Sequence, residues 1–570
     1  MTALARPSLA PLGPLTMAAL GLCLAGCASP ERVDTILFNG NIVALDDASS
    51  IHEAIAIRDG RIHSVGKADA IEALEAEQRI DLAGATVVPG LADNHYHSIG
   101  GGPGVDLSRT RSLQDIVDAI AEEASMTPDG EVIVTNSDWH EGQLREQRLP
   151  YRDDLDRATN RHPVVVVRGG HLYLVNSAAL EKWAIDETTP VPEGGSIGRY
   201  PDGRLNGELV DTAQDFVELP ARADTADRLD ALAAELRSLT EVGLTSIRYG
   251  SSDVELFDAL TELKTRGELP LRVSALVRIT PAVEPNEIEQ TIESWGLDPD
   301  EDDDWLEIAG VKLGVDGGFE GGWMRDPYEE PWGENGTYFG LQTYPTEQFI
   351  ETVRVLNRLG WRVGTHAVGD AAIDLVLDGY EKAHADESLT GKRWAIEHGF
   401  IPREDQLPRM RAMGIYVTAQ HHLYLAAPSL VKYWGPERTA WVTPVRAYLD
   451  AGIPLSLGTD SPVVAYPPLW VLYHFITRGT ISAGVMGEDQ RISRVEALRA
   501  MTLGNAELTF DEDLKGTLEP GKLADLVVLS DDILTCPPER IRDMDVMLTM
   551  VGGKIVYRTD DADAGETADP

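Results

Sequence analysis

Two histidines separated by one residue follow an apolar segment near the start of the chain. The segment "VVPGLADNHYHSIGGG" runs from Val87 to Gly102 and contains His95 and His97. In a β-strand, residues i and i+2 point to the same side, so the two imidazoles would face one point. Imidazole is a common ligand of zinc and other divalent metals. The pair alone is equally compatible with two polar residues on the wet side of a strand, so other residues must decide.

Four more side chains that can bind metal or carry protons occur in or after later strand-like segments. They are Lys312 in "GVKLGVDG", His366 in "GTHAVGD", His398 in "IEHG" and Asp460 in "LGTDSP". Each has a structural explanation when taken singly: a lone histidine can be a hydrogen-bonded polar residue, Asp460 could cap the next turn, and Lys312 could reach solvent or pair with Asp316. Taken together with the histidine pair, they indicate a metal or catalytic site.

The elements that must position these residues alternate between strand and helix. Eight predicted strands comprise the one in "TVVPGLADNHYH" and those at 243–250, 271–277, 308–317, 361–370, 393–399, 414–420 and 453–462. Segments with helical periodicity lie between most of them. This alternation predicts an α/β fold, a (β/α)8 TIM-type barrel, in which chemistry occurs at the C-terminal ends of the strands. The candidate residues fall at those ends.

The regions that flank the predicted barrel are rich in β-structure. Asn-Gly and Asp-Gly turns separate short strands before it, and a Gly-Gly turn joins two strands after it. We predict a small β-sandwich formed from 27–88 and 511–560, a barrel at 89–510 and an acidic tail at 561–570. The interval of about 103–222 is too long for a connection, so we expect an inserted subdomain after the first barrel strand.

The first 26 residues have the features of a targeting segment. Arg6 supplies a positive charge, and "LTMAALGLCLAGC" supplies an apolar core that is too short to span a bilayer comfortably. The segment resembles a bacterial lipoprotein signal peptide, in which Cys27 would be lipidated. The protein would then lie outside the cytoplasm, in the periplasm or anchored to a membrane. An ordinary secretory signal and an uncleaved anchor are the alternatives.

Composition excludes some classes of function. The formal net charge of −45 argues against binding nucleic acid, whose phosphates require Lys and Arg. Acidic residues spread along the chain are typical of a solvated, self-repelling surface. Of the three cysteines, Cys23 and Cys27 belong to the predicted signal, which leaves Cys536 and no internal disulfide framework. The sequence does not fix the oligomeric state, and a homo-oligomer is compatible with it.

The ordered motifs resemble the amidohydrolase superfamily, and more closely its family 3, which includes N-substituted formamide deformylases. The segments that carry the resemblance are "PGLADNHYH", "GHLYLVNSAAL", "GGSIGRYPDGRLNGEL", "GVKLGVDGG", "THAVGDAAIDLVL", "AIEHG", "LGTDSPV" and "GTLEPGKLADLVVL". The resemblance implies a metal-dependent enzyme that hydrolyses a non-peptide C–N bond in a linear amide or N-substituted formamide. A cyclic-amide hydrolase, a deaminase and a non-catalytic metal-binding lipoprotein are the alternatives.

The same resemblance implies a binuclear centre. The implied ligands of one ion, expected to be zinc, are His95, His97 and Asp460, and those of a second are His366 and His398. Lys312 would be carboxylated by CO2 and bridge the ions, because a carbamate is an anionic oxygen ligand whereas an ammonium repels metal. A hydroxide between the ions would attack the substrate carbonyl, with Asp460 acting as general base and then as general acid. A mononuclear site with unmodified Lys312 is the alternative.

Three further residues are candidates for substrate contact. His171 in "RGGHLYLVNS" resembles a family histidine that faces the pocket, and a structural hydrogen bond is its alternative role. Gln420 ends the seventh strand and is followed by His421 and His422, which we interpret as loop residues. Trp323 begins the aromatic segment "WMRDPYEEPWGENGTYFG" after the fourth strand. This segment could be a lid over the pocket or a packed surface loop.

The sequence departs from the family pattern at two places. In "SIRYG", Arg248 and Tyr249 stand where relatives often carry a carboxylate, and Arg168 is unexpected beside the Gly-Gly pair that precedes His171. Both departures weaken an inference of the substrate from the family pattern. The motifs therefore identify the class of enzyme but do not name its substrate, and they do not choose among zinc, manganese and iron.

Overall fold

The computed structural model describes residues 32–98, 104–107, 110–137, 139–169, 171–192, 194–219, 225–297, 303–464 and 467–559. The predicted signal peptide, Cys27 and the acidic tail at 561–570 lie outside these residues. Within the ranges just given, no helix combines the length and the apolar character that crossing a membrane requires. The descriptions below concern the residues in these ranges.

Eight parallel strands form the central sheet. They are Leu91–Tyr96 (β1), Leu244–Ser252 (β2), Arg272–Arg278 (β3), Leu306–Gly314 (β4), Val363–Ala367 (β5), Ala395–His398 (β6), Tyr416–Gln420 (β7) and Leu455–Gly458 (β8). Their order in the sheet follows the chain from β1 to β8. The backbone N–H of Asp460 donates to the carbonyl of His95 at 2.7 Å, so the segment after β8 returns to β1. The predicted (β/α)8 barrel is confirmed.

Helices surround this barrel. They are Thr225–Glu241, Val254–Arg266, Ile288–Trp295, Thr346–Arg358, Asp370–Asp386, Leu407–Met413, His422–Ala440, Val445–Asp450, Pro468–Thr477, Arg494–Met501 and Leu503–Thr509. The helix Thr346–Arg358 shows why they pack on the sheet: Phe349, Val353 and Leu356 recur at helical spacing and are buried in the main core. The apolar sides of the helices and the outer faces of the strands thus share one core.

Two further sheets pack face to face beside the barrel. One contains Arg61–Gly66, Ala54–Arg58, Arg32–Phe38 and Glu75–Asp81; the other contains Lys554–Arg558, Val546–Val551, Leu526–Leu529, Thr86–Pro89, Asn41–Val43 and Ile51–His52. Leu37 and Ile55 of the first sheet share a core with Val87 and Leu526 of the second. The second sheet joins strands from both ends of the chain, as the β-sandwich predicted from the sequence requires. Short helices at Ala68–Ile71 and Pro538–Arg542 complete these regions.

A fourth group of strands lies between β1 and β2. Its sheet has the order Gly195–Arg199, Leu205–Asp211, Leu172–Val175, Val164–Arg168 and Ile133–Val134. Its helices are Leu113–Met126, Arg152–Leu155 and Ser177–Lys182, and 3-10 turns occur at Glu141–Gln143, Thr212–Phe216 and, later in the chain, Glu488–Gln490. Alternate residues of the strands enter two separate apolar clusters, one on each face. This is the expected insertion; its exact boundaries remain predictions.

Candidate metal centre

His95 is held in a fixed orientation by a buried carboxylate. Its Nδ1 lies 2.7 Å from Oε2 of Glu397, which is on β6. Arg248 donates to both oxygens of Glu397, at 2.9 and 3.2 Å, and the Thr418 hydroxyl donates to Oε2 at 2.6 Å. With Nδ1 engaged in this way, Nε2 is the nitrogen left for a ligand, and the carboxylate fixes the orientation of the ring. Arg248, a departure from the family pattern, therefore supports the centre through its contact with Glu397.

The charges of this group follow from its burial. Burial, followed by the neighbouring Lys312 ammonium, lowers the pKa of His95 to about 4, so the imidazole is neutral near pH 7. Burial acts to raise the pKa of Glu397, but Arg248 and His95 outweigh it and hold this pKa well below its usual value. A neutral imidazole beside a charged carboxylate is the arrangement in which histidine binds a cation.

Asp460, which follows β8, brings the first three predicted ligands together. Its Oδ1 lies 3.1 Å from Nε2 of His97 and 3.6 Å from Nε2 of His95. One ligand atom of each of the three residues falls within 4.8 Å of the others. The Asp460 backbone has φ of +61°, a region that side chains other than glycine rarely occupy and that often marks functional sites. His97 leaves 32% of its side chain exposed, which places it on the open side of the group.

The chemistry of these three residues fits a divalent metal. Oδ1 of Asp460 is buried and accepts no hydrogen bond of acceptable geometry from the residues that the structure describes. Leaving a buried carboxylate oxygen without a partner costs free energy. Two imidazole nitrogens and one carboxylate oxygen that converge on one point match the donor set of zinc and similar ions. A cation would therefore satisfy an atom that the described side chains leave unsatisfied.

Lys312 on β4 lies beside this set. Its Nζ is 3.2 Å from Nε2 of His95, and the residue is buried. Burial lowers the pKa of Lys312 to about 8, in spite of the nearby carboxylates of Glu397 and Asp460. A neutral amine is therefore accessible near neutral pH, and a neutral amine is the form that reacts with CO2. The environment of Lys312 meets this condition for the predicted carboxylation, which remains a prediction.

Gln420 fixes the orientation of the His398 ring. The Oε1 of Gln420 lies 2.8 Å from Nδ1 of His398, and its Nε2 donates to Oδ1 of Asn94 at 3.1 Å. Gln420 was a candidate for substrate contact, but its amide is engaged on both sides and does not line the cavity described below. The structure instead places it as a partner of His398. His398 has φ of +71°, the second such strain among the predicted ligands.

His366 lies at the end of β5, with its ring centroid 4.6 Å from that of His398. Its Nε2 is 3.2 Å from the Gly317 carbonyl and 3.5 Å from Oδ1 of Asp316. Among the described residues, two sets of ligand atoms converge within metal-binding reach, and neither includes His366. The two rings are adjacent, as a shared ion requires, but the pairing of His366 with His398 around that ion stays a prediction.

His422 is the site residue that the sequence analysis missed. It was interpreted as a loop residue, yet it begins the helix after β7, is 2% exposed, and places Nε2 2.9 Å from Oδ2 of Asp460. It forms the second convergent set with His398 and Asp460. The available signal was its position two residues beyond the end of β7, at the edge of the barrel that carries the other candidates.

A cavity that is open to solvent lies beside the centre. Phe319, Phe400 and Val463 give it an apolar side, and His171 of the insertion lies on its wall. The Nδ1 of His171 is 2.6 Å from Oδ1 of Asp211, and 37% of its side chain is exposed. Burial acts to lower the pKa of His171, but the hydrogen bond to Asp211 raises it above its usual value. His171 is thus placed where a substrate would contact it.

Trp323, a predicted substrate contact, and Arg168, an unexpected residue of the insertion, are also placed by the structure. Trp323 does not line the cavity; its side chain packs against the barrel core, and its backbone N–H donates to Oδ2 of Asp316 at 2.9 Å. Arg168 does line the cavity, but it is buried and bound to Glu141 at 3.0 and 3.1 Å and to Glu320 at 2.5 Å. Two carboxylates thus balance the Arg168 charge, which makes a salt-bridged wall at the boundary of insertion and barrel.

A parallel barrel with histidines, a lysine and an aspartate gathered at its strand ends defines a metal-dependent hydrolase. The chain belongs to the amidohydrolase family, whose model matches residues 78–557. It is therefore a hydrolase of carbon–nitrogen bonds other than peptide bonds, which acts on small molecules with the help of a divalent metal.

Individual relatives extend over most of the chain. It is similar to the N-substituted formamide deformylase of Arthrobacter pascens, with 26% identity over 549 residues that span 92% of this chain and 98% of that enzyme. It is 28% identical to the protein LONG AFTER FAR-RED 3 of Arabidopsis thaliana over 92% of this chain and 91% of that protein. The crystal structure of an uncharacterized metal-dependent hydrolase from Pyrococcus horikoshii superposes with a TM-score of 0.67 at 24% identity, covering 89% and 99% of the two chains. This last likeness concerns the fold.

Proposed function

We propose that the protein hydrolyses a linear amide or an N-substituted formamide. The observation that carries this proposal is the convergence of His95 Nε2, His97 Nε2 and Asp460 Oδ1 within 4.8 Å of one another, beside a largely apolar cavity. Such a centre can polarise a carbonyl group, and an apolar cavity suits the carbon substituents of an amide. The similarity to a formamide deformylase supports this substrate class.

In this proposal two zinc ions occupy the centre. His95, His97 and Asp460 would hold the first, the second would lie on the His398 side, and carboxylated Lys312 would stand between them. Bound divalent cations supply Lewis acidity toward the carbonyl oxygen and make water acidic enough to act as a nucleophile near neutral pH. The buried Lys312 amine, with its pKa lowered to about 8, supports the carboxylation.

Asp460 would carry the proton during hydrolysis. Its Oδ1 has no hydrogen-bond partner among the residues described, and it adjoins the partly exposed His97 on the open side of the centre. A carboxylate in this position accepts a proton from the attacking water and returns it to the leaving nitrogen. His171 would contact the substrate from the opposite wall, and Phe319 and Phe400 would exclude water from the apolar side.

We also propose that Cys27 is lipidated and tethers the protein to a membrane outside the cytoplasm. The support is the short apolar segment that ends in "LAGC". Fractionation of cells that express the full chain tests this proposal. Wild type should sediment with membranes, and C27A should not; equal distribution of both would refute the tether.

The proposed activity is tested by metal content and a substrate panel. Protein prepared with and without bicarbonate is assayed for metal, then offered formamides, linear amides, cyclic amides and amino-heterocycles. We expect two metals per chain with bicarbonate and hydrolysis of formamides or linear amides, strongly reduced in D460N. Hydrolysis confined to cyclic amides or deamination alone would select the alternative substrate classes. A wild-type chain that binds no metal would contradict the whole proposal.

A further inference from the structure

His422 is enclosed by aromatic rings beside Asp460. Its ring centroid lies 4.9 Å from that of Phe400 and 5.6 Å from that of Phe319. Its Nε2 lies 2.9 Å from Oδ2 of Asp460. Its Nδ1 is buried and has no hydrogen-bond partner among the residues that the structure describes. The ring therefore has one polar end and one apolar end.

These surroundings determine which nitrogen of His422 bears the proton. A neutral imidazole has one N–H donor and one acceptor nitrogen. A proton on Nδ1 would bury an N–H without an acceptor and would turn the Nε2 lone pair toward the anionic Oδ2 of Asp460, which costs free energy twice. A proton on Nε2 makes a charge-assisted hydrogen bond to that oxygen. The network of contacts therefore selects the Nε2–H form.

We infer that His422 is a positioning residue that fixes the carboxylate of Asp460. Its Nε2–H holds Oδ2, and this contact directs Oδ1 toward His97 and His95. The inference rests on the proposed function, in which Oδ1 is a metal ligand and proton acceptor. Groups that orient ligands by hydrogen bonds support the affinity of the metal without touching it.

The alternative is that His422 itself binds metal, since it converges with His398 and Asp460. A nitrogen that bears a proton has no free lone pair for a metal, so the Nε2–H form and the ligand role are mutually exclusive. The two roles make different demands on the side chain. A glutamine could replace a hydrogen-bond donor, because its amide also ends in an N–H group, whereas it would be a poor substitute for an imidazole ligand.

The test measures zinc affinity by competition with a chelator, on the full-length protein freed of its own metal. Three variants are compared with wild type: H422L, which removes the donor but keeps an apolar side chain among the rings; H422Q, which keeps a donor; and H421L as the matched control. His421 is the buried neighbour, and neither of its ring nitrogens has a hydrogen-bond partner among the described residues. Circular dichroism and thermal unfolding without metal check that each variant folds.

We expect H422L to lower zinc affinity about 10- to 100-fold, with the number of bound ions at saturation unchanged. H422Q should stay close to wild type, as should H421L. The steady-state rates should follow, with kcat reduced in H422L and recovered in H422Q. Recovery by the donor distinguishes positioning from a general loss of packing, which H422Q would not repair.

Several outcomes would overturn the inference. Loss of one bound ion in both H422L and H422Q would make His422 a ligand. Unchanged affinity in H422L would remove any role in orienting Asp460, and loss in H422Q equal to that in H422L would remove the role of the donor. In each of these cases wild type still binds zinc, so the proposed function stands. A wild-type protein that binds no zinc contradicts the proposed function and the inference together.

Discussion

The centre at the barrel strand ends and the cavity wall from the insertion are built differently. In the centre, His95 is fully buried and bound to Glu397, which is itself held by Arg248. On the wall, the His171 ring contacts Asp211 through a hydrogen bond and leaves 37% of its side chain exposed. The barrel thus fixes His95 through a chain of buried contacts, and the insertion presents a group that is exposed to the cavity.

The largest expected effect lies at Asp460. In D460N the side chain keeps its size but can no longer accept a proton as a carboxylate does, and it binds a cation less well. We expect kcat/KM to fall by about 10²- to 10⁴-fold, the usual contribution of a general base. Steady-state kinetics on the substrate identified by the panel measures this change, with bound metal assayed in parallel. Activity within tenfold of wild type, roughly 1.4 kcal/mol, would exclude Asp460 as the base.

The second largest effect is expected at Arg248, which holds Glu397 beside the metal centre. R248M leaves the buried Glu397 carboxylate without its guanidinium, so the free energy of unfolding should fall by about 3–5 kcal/mol. Denaturant unfolding measures it. The matched control is R32M, which breaks an ion pair with Glu77 in which both side chains are more than half exposed; a surface pair contributes at most about 1 kcal/mol. An equal fall in the free energy of unfolding for R248M and R32M would show that the buried ion pair stabilises the protein no more than the surface pair does.

A smaller effect is expected at Gln420, the hydrogen-bond partner of His398. In Q420L the Nδ1 of His398 loses its acceptor, and the ring is free to turn away from the centre. Metal affinity should fall about 10- to 100-fold, as it does when an orienting partner is removed. Q420E keeps an acceptor oxygen and should retain more affinity than Q420L. The opposite order, or a change in KM alone, would favour the substrate-contact role first predicted for Gln420.

The smallest effect is expected on the wall. H171L replaces an exposed imidazole by an apolar side chain, and the loss of one hydrogen bond to substrate should raise KM about fivefold, or about 1 kcal/mol. Metal affinity should not change, because His171 is not in either convergent set of ligand atoms. Chelator competition and steady-state kinetics measure the two quantities. A fall in metal affinity in H171L would contradict the distinction between the cavity wall and the metal centre.

The fold could be predicted from the sequence because its signals are local. Each barrel strand is a short apolar run, and each intervening helix shows apolar residues at helical spacing, as in Thr346–Arg358. The residues of the centre could also be identified from the sequence, because side chains able to bind metal occur at the ends of several predicted strands. Their roles in binding metal remain predictions. The residues of the cavity wall were harder to predict. Trp323 packs on the barrel core instead of lining the cavity, and nothing in the sequence of its segment distinguishes these two placements.

The sequence by itself determined the class of fold, the family and the set of side chains able to bind metal, because apolar periodicity and residue type are properties of short segments. The tertiary structure alone decided which atoms face the centre. His95 and Glu397 are 302 positions apart, and their contact leaves Nε2 of His95 for a ligand. His422 became part of the site in the same way, since only the packing of its helix brings Nε2 to Asp460. Such contacts depend on where distant strands end in space, which no local pattern specifies.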